Sequence, residues 1–211
     1  MKNVLLIVSC LIMPLIALSQ QSDTLNRNDE IRTIFGSHQS NGGYGAFSIG
    51  YTLVNNRDAV MFGGRGAWIL NHSFAIGAGG EGFVTSYLND ADLNAEANFS
   101  GGYGGLFIEP ILFPKVPIHI SFPIMAGAGG IAYARRMDNN QISNTNYNMI
   151  IESDAFFVVE PGAEIELNMT RYFRLAMSCS YRATTKLNMV TANNNALNGI
   201  STKVVFKFGW F

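Results

Sequence analysis

Residues 158 to 182 contain two runs of alternating apolar and polar side chains joined by a short polar turn. The first run sets aliphatic side chains opposite three glutamates, and the second sets apolar side chains opposite two arginines. These charged residues are Glu160, Glu164, Glu166, Arg174 and Arg182. A period of two is the signature of a β-strand whose faces meet different surroundings. The segment therefore predicts a β-hairpin with one apolar and one charged face.

Six further alternating runs bring the total to eight, with seven connections between them. The connections at 55–58, 71–73, 113–117 and 168–171 are short, and those at about 86–98, 136–153 and 184–197 are long. After the first connection, short and long ones alternate, as expected for periplasmic turns and extracellular loops. The pattern predicts an all-β fold, an eight-stranded antiparallel up-and-down transmembrane β-barrel with both termini in the periplasm.

The composition agrees with a surface that does not face water. Charged residues make up only 14 % of the 211 residues and apolar residues 48 %, whereas an ordinary soluble domain carries roughly 25 % charge. The body of the chain has no apolar run near the ~20 residues of a spanning helix. The formal net charge is −1 and no basic stripe is present, which argues against nucleic acid as a partner.

The N-terminus has the features of a cleaved secretion signal. A positive start at Lys2 precedes an apolar stretch from Val4 to Leu18, and Ala17-Leu18-Ser19 resembles a cleavage site. We therefore predict a signal peptide at 1–19, an irregular leader at 20–42 and the barrel at 43–211. Removal of Cys10 with the signal would leave Cys179 without an intrachain disulfide partner.

Ten charged residues lie within the eight runs. All of them occupy the alternate positions, so they lie on the strand face opposite the large aliphatic side chains. They are Arg65, Glu81, Glu109, Glu160, Glu164, Glu166, Arg174, Arg182, Lys203 and Lys207. A charge on a lipid-facing position near the midplane costs ~2–4 kcal/mol for Arg or Lys, so we expect these side chains to face the lumen. Five acids and five bases cancel, which predicts a structural network of ion pairs.

Other chemistry has weaker support in the sequence. Glycine runs at 77–82 and 101–105 precede no helix, so they indicate strand bending rather than phosphate binding. His119 and Ser121 form a His-x-Ser pair like that of outer-membrane lipid A deacylases, but on the lumen parity and near the periplasmic start of a strand. Glu160 and Glu164 could form a paired-carboxylate site, although a small barrel leaves little room for a sugar. We expect no catalytic, cofactor or metal-binding residue, since the histidines lack ligand spacing.

Large aromatic residues cluster near the predicted strand ends. They are Tyr44, Tyr51, Trp68, Tyr133, Tyr172, Tyr181 and Trp210. We interpret them as girdles at the two membrane interfaces.

Several motifs resemble those of one protein family. They are Gly-Gly-Arg-Gly-Ala-Trp-Ile-Leu-Asn-His at 63–72, Gly-Gly-Tyr-Gly-Gly-Leu at 101–106, Val-Glu-Pro-Gly-Ala-Glu at 159–164, Ser-Tyr-Arg at 180–182 and Phe-Lys-Phe-Gly-Trp-Phe at 206–211. The chain is similar over 43–211 to a family of small, uncharacterised outer-membrane β-barrel proteins of Gram-negative bacteria. The resemblance implies an outer-membrane barrel and no catalytic or binding residue.

The expected function is that of an integral outer-membrane protein without enzymatic activity, which supports the envelope or interacts with a partner through its extracellular loops. The alternatives are a narrow channel for small solutes and, less favoured, a lipid-modifying enzyme. The expected partners are outer-membrane lipid and the barrel-assembly machinery, which reads a terminal aromatic residue such as Phe211.

Overall fold

The computed structural model of the protein describes residues 41–90, 95–137 and 147–211. The predicted signal peptide at 1–19 and residues 20–40 of the predicted leader lie outside these ranges. The first strand begins at Asn41, two residues before the predicted start of the barrel, because Asn41 and Gly42 pair with Leu70 and Ile69 of the next strand. Pairing with a neighbour here overrides the low strand propensity of Asn and Gly.

The described residues form ten antiparallel strand segments. They are β1 (Asn41–Val54), β2 (Arg57–Leu70), β3 (Phe74–Thr85), β4 (Leu88–Asp90), β5 (Ala95–Leu112), β6 (Ile118–Ser121), β7 (Ile124–Met137), β8 (Tyr147–Asn168), β9 (Phe173–Thr184) and β10 (Gly199–Trp210). Among these residues, no helix is both long enough and apolar enough to cross a membrane.

The ten segments occupy eight positions in a closed barrel. Segments β3 and β4 both pair with β5. Segments β6 and β7 both pair with β5 and β8 and keep one register from β6 into β7, and the β7–β8 register shifts only between Tyr133 and Ala134. Pro123, which has no N–H to donate to the ladder, separates β6 from β7. Because β10 pairs with β1, the sheet has no edge within the barrel, and the predicted eight-stranded up-and-down topology is confirmed.

The outer face of the barrel carries an apolar band. Phe47, Phe62, Leu106 and Met177 are each more than half exposed. On β10 the outward side chains run from Ile200 to Trp210, and the ten residue-to-residue steps between them span roughly 25 Å across the membrane in a tilted strand. The band has the height of a transmembrane β-barrel's lipid-facing surface.

The two ends of the barrel differ in their connections. The turn end holds the short connections 71–73, 113–117 and 169–172, and the loop end holds 55–56, 86–87 and 185–198. At the loop end β5, β7, β8 and the short β4 continue past the neighbouring strands as a projecting sheet, formed by residues 88–90, 95–98, 134–137 and 147–155.

The projecting sheet corrects two of the predicted long loops. Residues 95–98 and 147–153, predicted as loop, lie in β5 and β8, because cross-strand pairs such as Ala97 with Arg135 satisfy their backbone groups. The third predicted loop, at 184–197, agrees within one residue with the segment 185–198.

The segment 185–198 covers the loop end of the lumen. Its inward side chains pack against the upper parts of the strands. The strands and the segment together form an apolar core, which consists of Val54, Ala59, Met61, Phe83, Ala97, Phe99, Tyr103, Ile131, Tyr133, Phe156, Val158, Leu187, Met189, Ala192, Ala196 and Leu197. The Asn55 amide N–H donates to the Ala196 carbonyl (2.8 Å), and the Asn193 Nδ2 donates to the Asn55 Oδ1 (3.0 Å). The lumen is therefore closed by packed side chains at this end.

The predicted aromatic girdles are correct only in part. Tyr44 and Tyr133 point into the lumen and are buried, because they share the parity of the inward residues and their rings fill the barrel interior. The other five remain exposed on the outside. They are Trp68, Tyr172 and Trp210 toward the turn end, and Tyr51 and Tyr181 toward the loop end.

Candidate functional site

All ten charged residues predicted for the lumen point inward, and nine of them make ion pairs. The period-two geometry of the strands places them there, since each shares the parity of buried neighbours. They divide into a cluster around Lys207 near the turn end and a cluster around Lys203 near the middle of the barrel. Arg182 lies apart from both.

Lys207 is enclosed by three carboxylates from two other strands. Its Nζ lies 2.5 Å from Glu109 Oε1, 2.9 Å from Glu164 Oε2 and 2.6 Å from Glu166 Oε1. An ammonium has three protons to donate, so each carboxylate receives one. One ligand oxygen from each carboxylate lies within 4.8 Å of the others, and the ammonium supplies the positive charge among these buried acids.

Two guanidinium groups flank this cluster. Arg65 Nη2 donates to Glu164 Oε2 at 2.6 Å, and Arg174 Nη1 lies 3.4 Å from Glu166 Oε2. The Tyr44 hydroxyl donates to Glu109. Breaking a buried pair by removing one partner typically costs about 3–5 kcal/mol, because the remaining charge has lost its compensation. The cluster therefore links β1, β2, β5, β8, β9 and β10, and the loss of any one charged member is expected to destabilise the barrel.

His119 and Ser121 belong to the same cluster. Both are buried: the Ser121 hydroxyl contacts Glu109 Oε1 at 2.8 Å and Glu166 Oε1 at 2.5 Å, and His119 Nε2 lies 3.1 Å from Glu166 Oε2. The serine hydroxyl is directed to carboxylates rather than to the histidine. A nucleophilic pair requires a base within hydrogen-bond reach of the hydroxyl, and this arrangement instead orders the carboxylates.

Lys203 organises the second cluster. Its Nζ donates to Glu81 Oε1 at 3.1 Å and to Glu160 Oε1 at 2.9 Å. Glu160 also accepts hydrogen bonds from the Ser180 hydroxyl at 2.5 Å and from the Tyr103 hydroxyl. Glu160 and Glu164, the candidate carboxylate pair, thus belong to different clusters, each with its own lysine.

Arg182 differs from the other nine residues. In the described ranges it has no carboxylate within 4.0 Å, and its Nε donates to the Leu197 carbonyl at 2.7 Å. Its guanidinium lies over the rings of Phe83 and Tyr103, at 5.4 and 5.7 Å from their centroids. The alternation of side chains along β9 places Arg182 on the inward face. Its hydrogen-bond partner, however, belongs to the segment 185–198, and the alternation within a strand carries no information about that segment.

Little free space remains between the clusters. A cavity of about 30 Å³ is lined by Arg65, Glu81, Glu160 and Lys203, among others. Because one water needs at least roughly 10–15 Å³ measured in this way, the cavity has room for one or two waters and not for a sugar. The geometry is that of a plugged lumen.

Sequence reasoning missed the hydroxyl donors that complete the clusters. Tyr44, Tyr103, Ser121 and Ser180 all bind a buried carboxylate. The available signal was their parity, which they share with the charged residues. The assignment of Tyr44 to a girdle ignored that signal.

No family model matches the chain, and no curated protein matches it. Three solved structures of outer-membrane proteins are similar to parts of the chain. Neisserial surface protein A is 9 % identical, with 82 % of this chain and 99 % of that chain covered and a TM-score of 0.48. Ail of Yersinia pestis is 13 % identical, with 82 % and 98 % covered and a TM-score of 0.44. The N-terminal β-barrel domain of Pseudomonas aeruginosa OprF is 11 % identical, with 81 % and 97 % covered and a TM-score of 0.43.

Proposed function

We propose that the protein is a non-enzymatic integral protein of the outer membrane, which presents its projecting sheet outside the cell. The observation that supports this proposal is the contrast between the outer surface of the barrel and its interior. An apolar band surrounds the barrel, and the lumen is filled by paired charges and by an apolar core. Such a barrel can serve as an anchor, because its outer surface suits lipid and the cavity between its charge clusters, at about 30 Å³, is too small for a sugar.

The projecting sheet supplies the surface for a partner. Met149, Ile150 and Ile151 on β8 and Leu88 on β4 are exposed, although they lie beyond the band. Apolar side chains exposed away from lipid are typical of interaction sites. Among the described strands, β4 pairs only with β5, so its outer edge offers backbone groups to an added strand.

Two exposed lysines test the placement in the membrane. Lys186 lies in the segment 185–198 at the loop end, and Lys115 lies in the connection 113–117 at the turn end. A membrane-impermeant amine reagent applied to intact cells is expected to modify Lys186 and leave Lys115 unmodified, with both modified after permeabilisation. Mass spectrometry of the two peptides measures this.

The buried Lys203 and Lys207 are the internal controls, because their ammonium groups are enclosed in the lumen and should stay unmodified in the folded protein. Equal modification of Lys115 and Lys186 in intact cells would contradict the proposed orientation. The same result would remove the argument that the projecting sheet faces outward.

Electrical recording separates an anchor from a narrow channel. Purified protein in planar bilayers is expected to show no conductance steps above the bare membrane. The reason is that the apolar core closes the lumen at the loop end and the ion-pair clusters fill it below. Reproducible steps from protein that passes the heat-dependent mobility shift of a folded barrel would favour the transport alternative. For the enzyme alternative, His119→Ala and Ser121→Ala should leave the composition of lipid A unchanged.

A further inference from the structure

The mouth of the barrel at the turn end contains a concavity that the anchor function does not use. Its volume is about 440 Å³, within the 300–1,000 Å³ range of pockets that hold small molecules. It lies between the connections 113–117 and 169–172 and the start of β9. It is thus separated from the projecting sheet by the full height of the barrel.

The charged side chains that line this concavity are all cationic. Lys115, Arg171 and Arg174 come from three different segments, and the imidazole of His72 also lines it. In the part of the chain that the structure describes, no lining side chain carries a carboxylate. Concave surfaces lined by one sign of charge concentrate the opposite ion.

Arg174 is the buried and rigidly held cation of the pocket. It is 5 % exposed, and its Nη1 is held from above by Glu166 at 3.4 Å and lies 3.3 Å from His119 Nε2. Its guanidinium stacks on the Phe211 ring at 4.0 Å, and its Nε has no hydrogen-bond partner. An arginine held by stacking and an ion pair is preorganised to receive an oxyanion.

Thr170 adds a neutral donor. Its hydroxyl oxygen accepts a hydrogen bond from the Tyr172 amide at 3.2 Å, which leaves the hydroxyl proton available to a ligand. The pocket therefore combines one fixed guanidinium, two exposed cations and a hydroxyl.

We propose that this mouth binds an oxyanion. Arg174 would contact the oxyanion at the bottom of the concavity, and Lys115 and Arg171 would contact it from the connections 113–117 and 169–172. The shared chemistry is that of a phosphate group. Its source is either a free phosphate compound or the headgroup of an anionic phospholipid at the adjacent membrane surface. This site is independent of any partner of the projecting sheet.

The test uses the folded full chain in a neutral detergent, titrated with inorganic phosphate and followed by calorimetry and by ³¹P NMR line width. The variant Lys115→Gln/Arg171→Gln removes two exposed charges from the pocket and leaves Arg174 in place. The matched control, Arg136→Gln/Lys186→Gln, removes two charges from the loop end. We expect wild type and control to bind with a dissociation constant of about 1 mM or lower, and the pocket variant to bind at least tenfold more weakly.

A second arm identifies the source of the phosphate. The three proteins are placed in nanodiscs of phosphatidylcholine with and without phosphatidylglycerol, and bound lipid is counted by native mass spectrometry. Retention of phosphatidylglycerol by wild type and control, with loss in the pocket variant, supports a headgroup. If the pocket variant alone loses phosphate binding and none of the three proteins retains phosphatidylglycerol, the source is a free phosphate compound. If neither ligand binds, or if pocket variant and control bind equally, the proposal is overturned.

Discussion

Replacing Lys207 by methionine is expected to destabilise the barrel by at least about 3–5 kcal/mol, the usual result of breaking a buried ion pair. Methionine has a similar volume, so the change removes the charge and leaves the packing nearly intact. Glu109, Glu164 and Glu166 would then remain within 4.8 Å of one another without the ammonium that separates their charges. Three like charges in a buried site repel strongly, because the surroundings screen them poorly.

The measurement is denaturant unfolding from lipid vesicles, read by the mobility shift between folded and unfolded forms. Lys115→Met is the matched control: the same substitution at an exposed lysine should alter the free energy of unfolding by less than about 0.5 kcal/mol. Adding Glu109→Gln to Lys207→Met should recover part of the lost stability, because it removes one of the unbalanced charges. A Lys207→Met protein as stable as wild type would show that the carboxylates do not depend on Lys207.

Gly105→Val is the second substitution with a large expected effect. Gly105 faces the lumen on β5, and a Cβ at this position would lie 2.1 Å from the Ala126 carbonyl oxygen and 2.6 Å from the Gly127 Cα. Both atoms belong to the backbone of β7, which is paired with β5. Since only separation of the strands could relieve the clash, we expect a loss of about 3 kcal/mol or more, the upper end for overpacking.

Gly45→Val is the control, because a Cβ at Gly45 meets no atom within 4 Å. Gly45 faces outward, and valine there adds strand propensity and apolar surface, so its stability should match or exceed wild type. Comparable loss in both variants would mean that the effect comes from the unfolded chain. Equal stability of Gly105→Val and wild type would contradict the close approach of β5 and β7.

The two substitutions test different parts of one interior. Lys207 links strands that are distant in sequence through charge, whereas Gly105 lets two neighbouring strands approach closely. Replacing buried ion pairs as a set by apolar residues is often neutral or stabilising. The cost expected for Lys207→Met is therefore the cost of leaving charges unpaired, and it does not measure the net contribution of the charged lumen to stability.

Most of the barrel was predictable because a strand's side chains alternate with a period of two. That rule placed all ten lumen charges, from Arg65 on β2 to Lys207 on β10, on the inward face. The order of short and long connections likewise predicted the topology. These properties are local and can be read from consecutive residues.

Apart from the girdle residues Tyr44 and Tyr133, whose parity already pointed inward, the errors have a common physical origin. Residues 95–98 and 147–153 look like loop by composition, but a paired neighbour satisfies their backbone groups and extends β5 and β8. Arg182 looks like a member of the ion-pair network, but its nearest acceptor is the carbonyl of Leu197. Each depends on which segment lies beside it in space, and local patterns do not contain that information.

The sequence by itself thus determined the strand count and the direction of the ten charged side chains, because alternation is a property of consecutive residues. Only the tertiary structure decided which charges meet. Strand register brings Glu109, Glu164 and Glu166 to one ammonium and sends Glu160 to another. It also brings the cations of two turns to one mouth. Register arises from all the pairings of the closed barrel together, so no single run of residues reveals it.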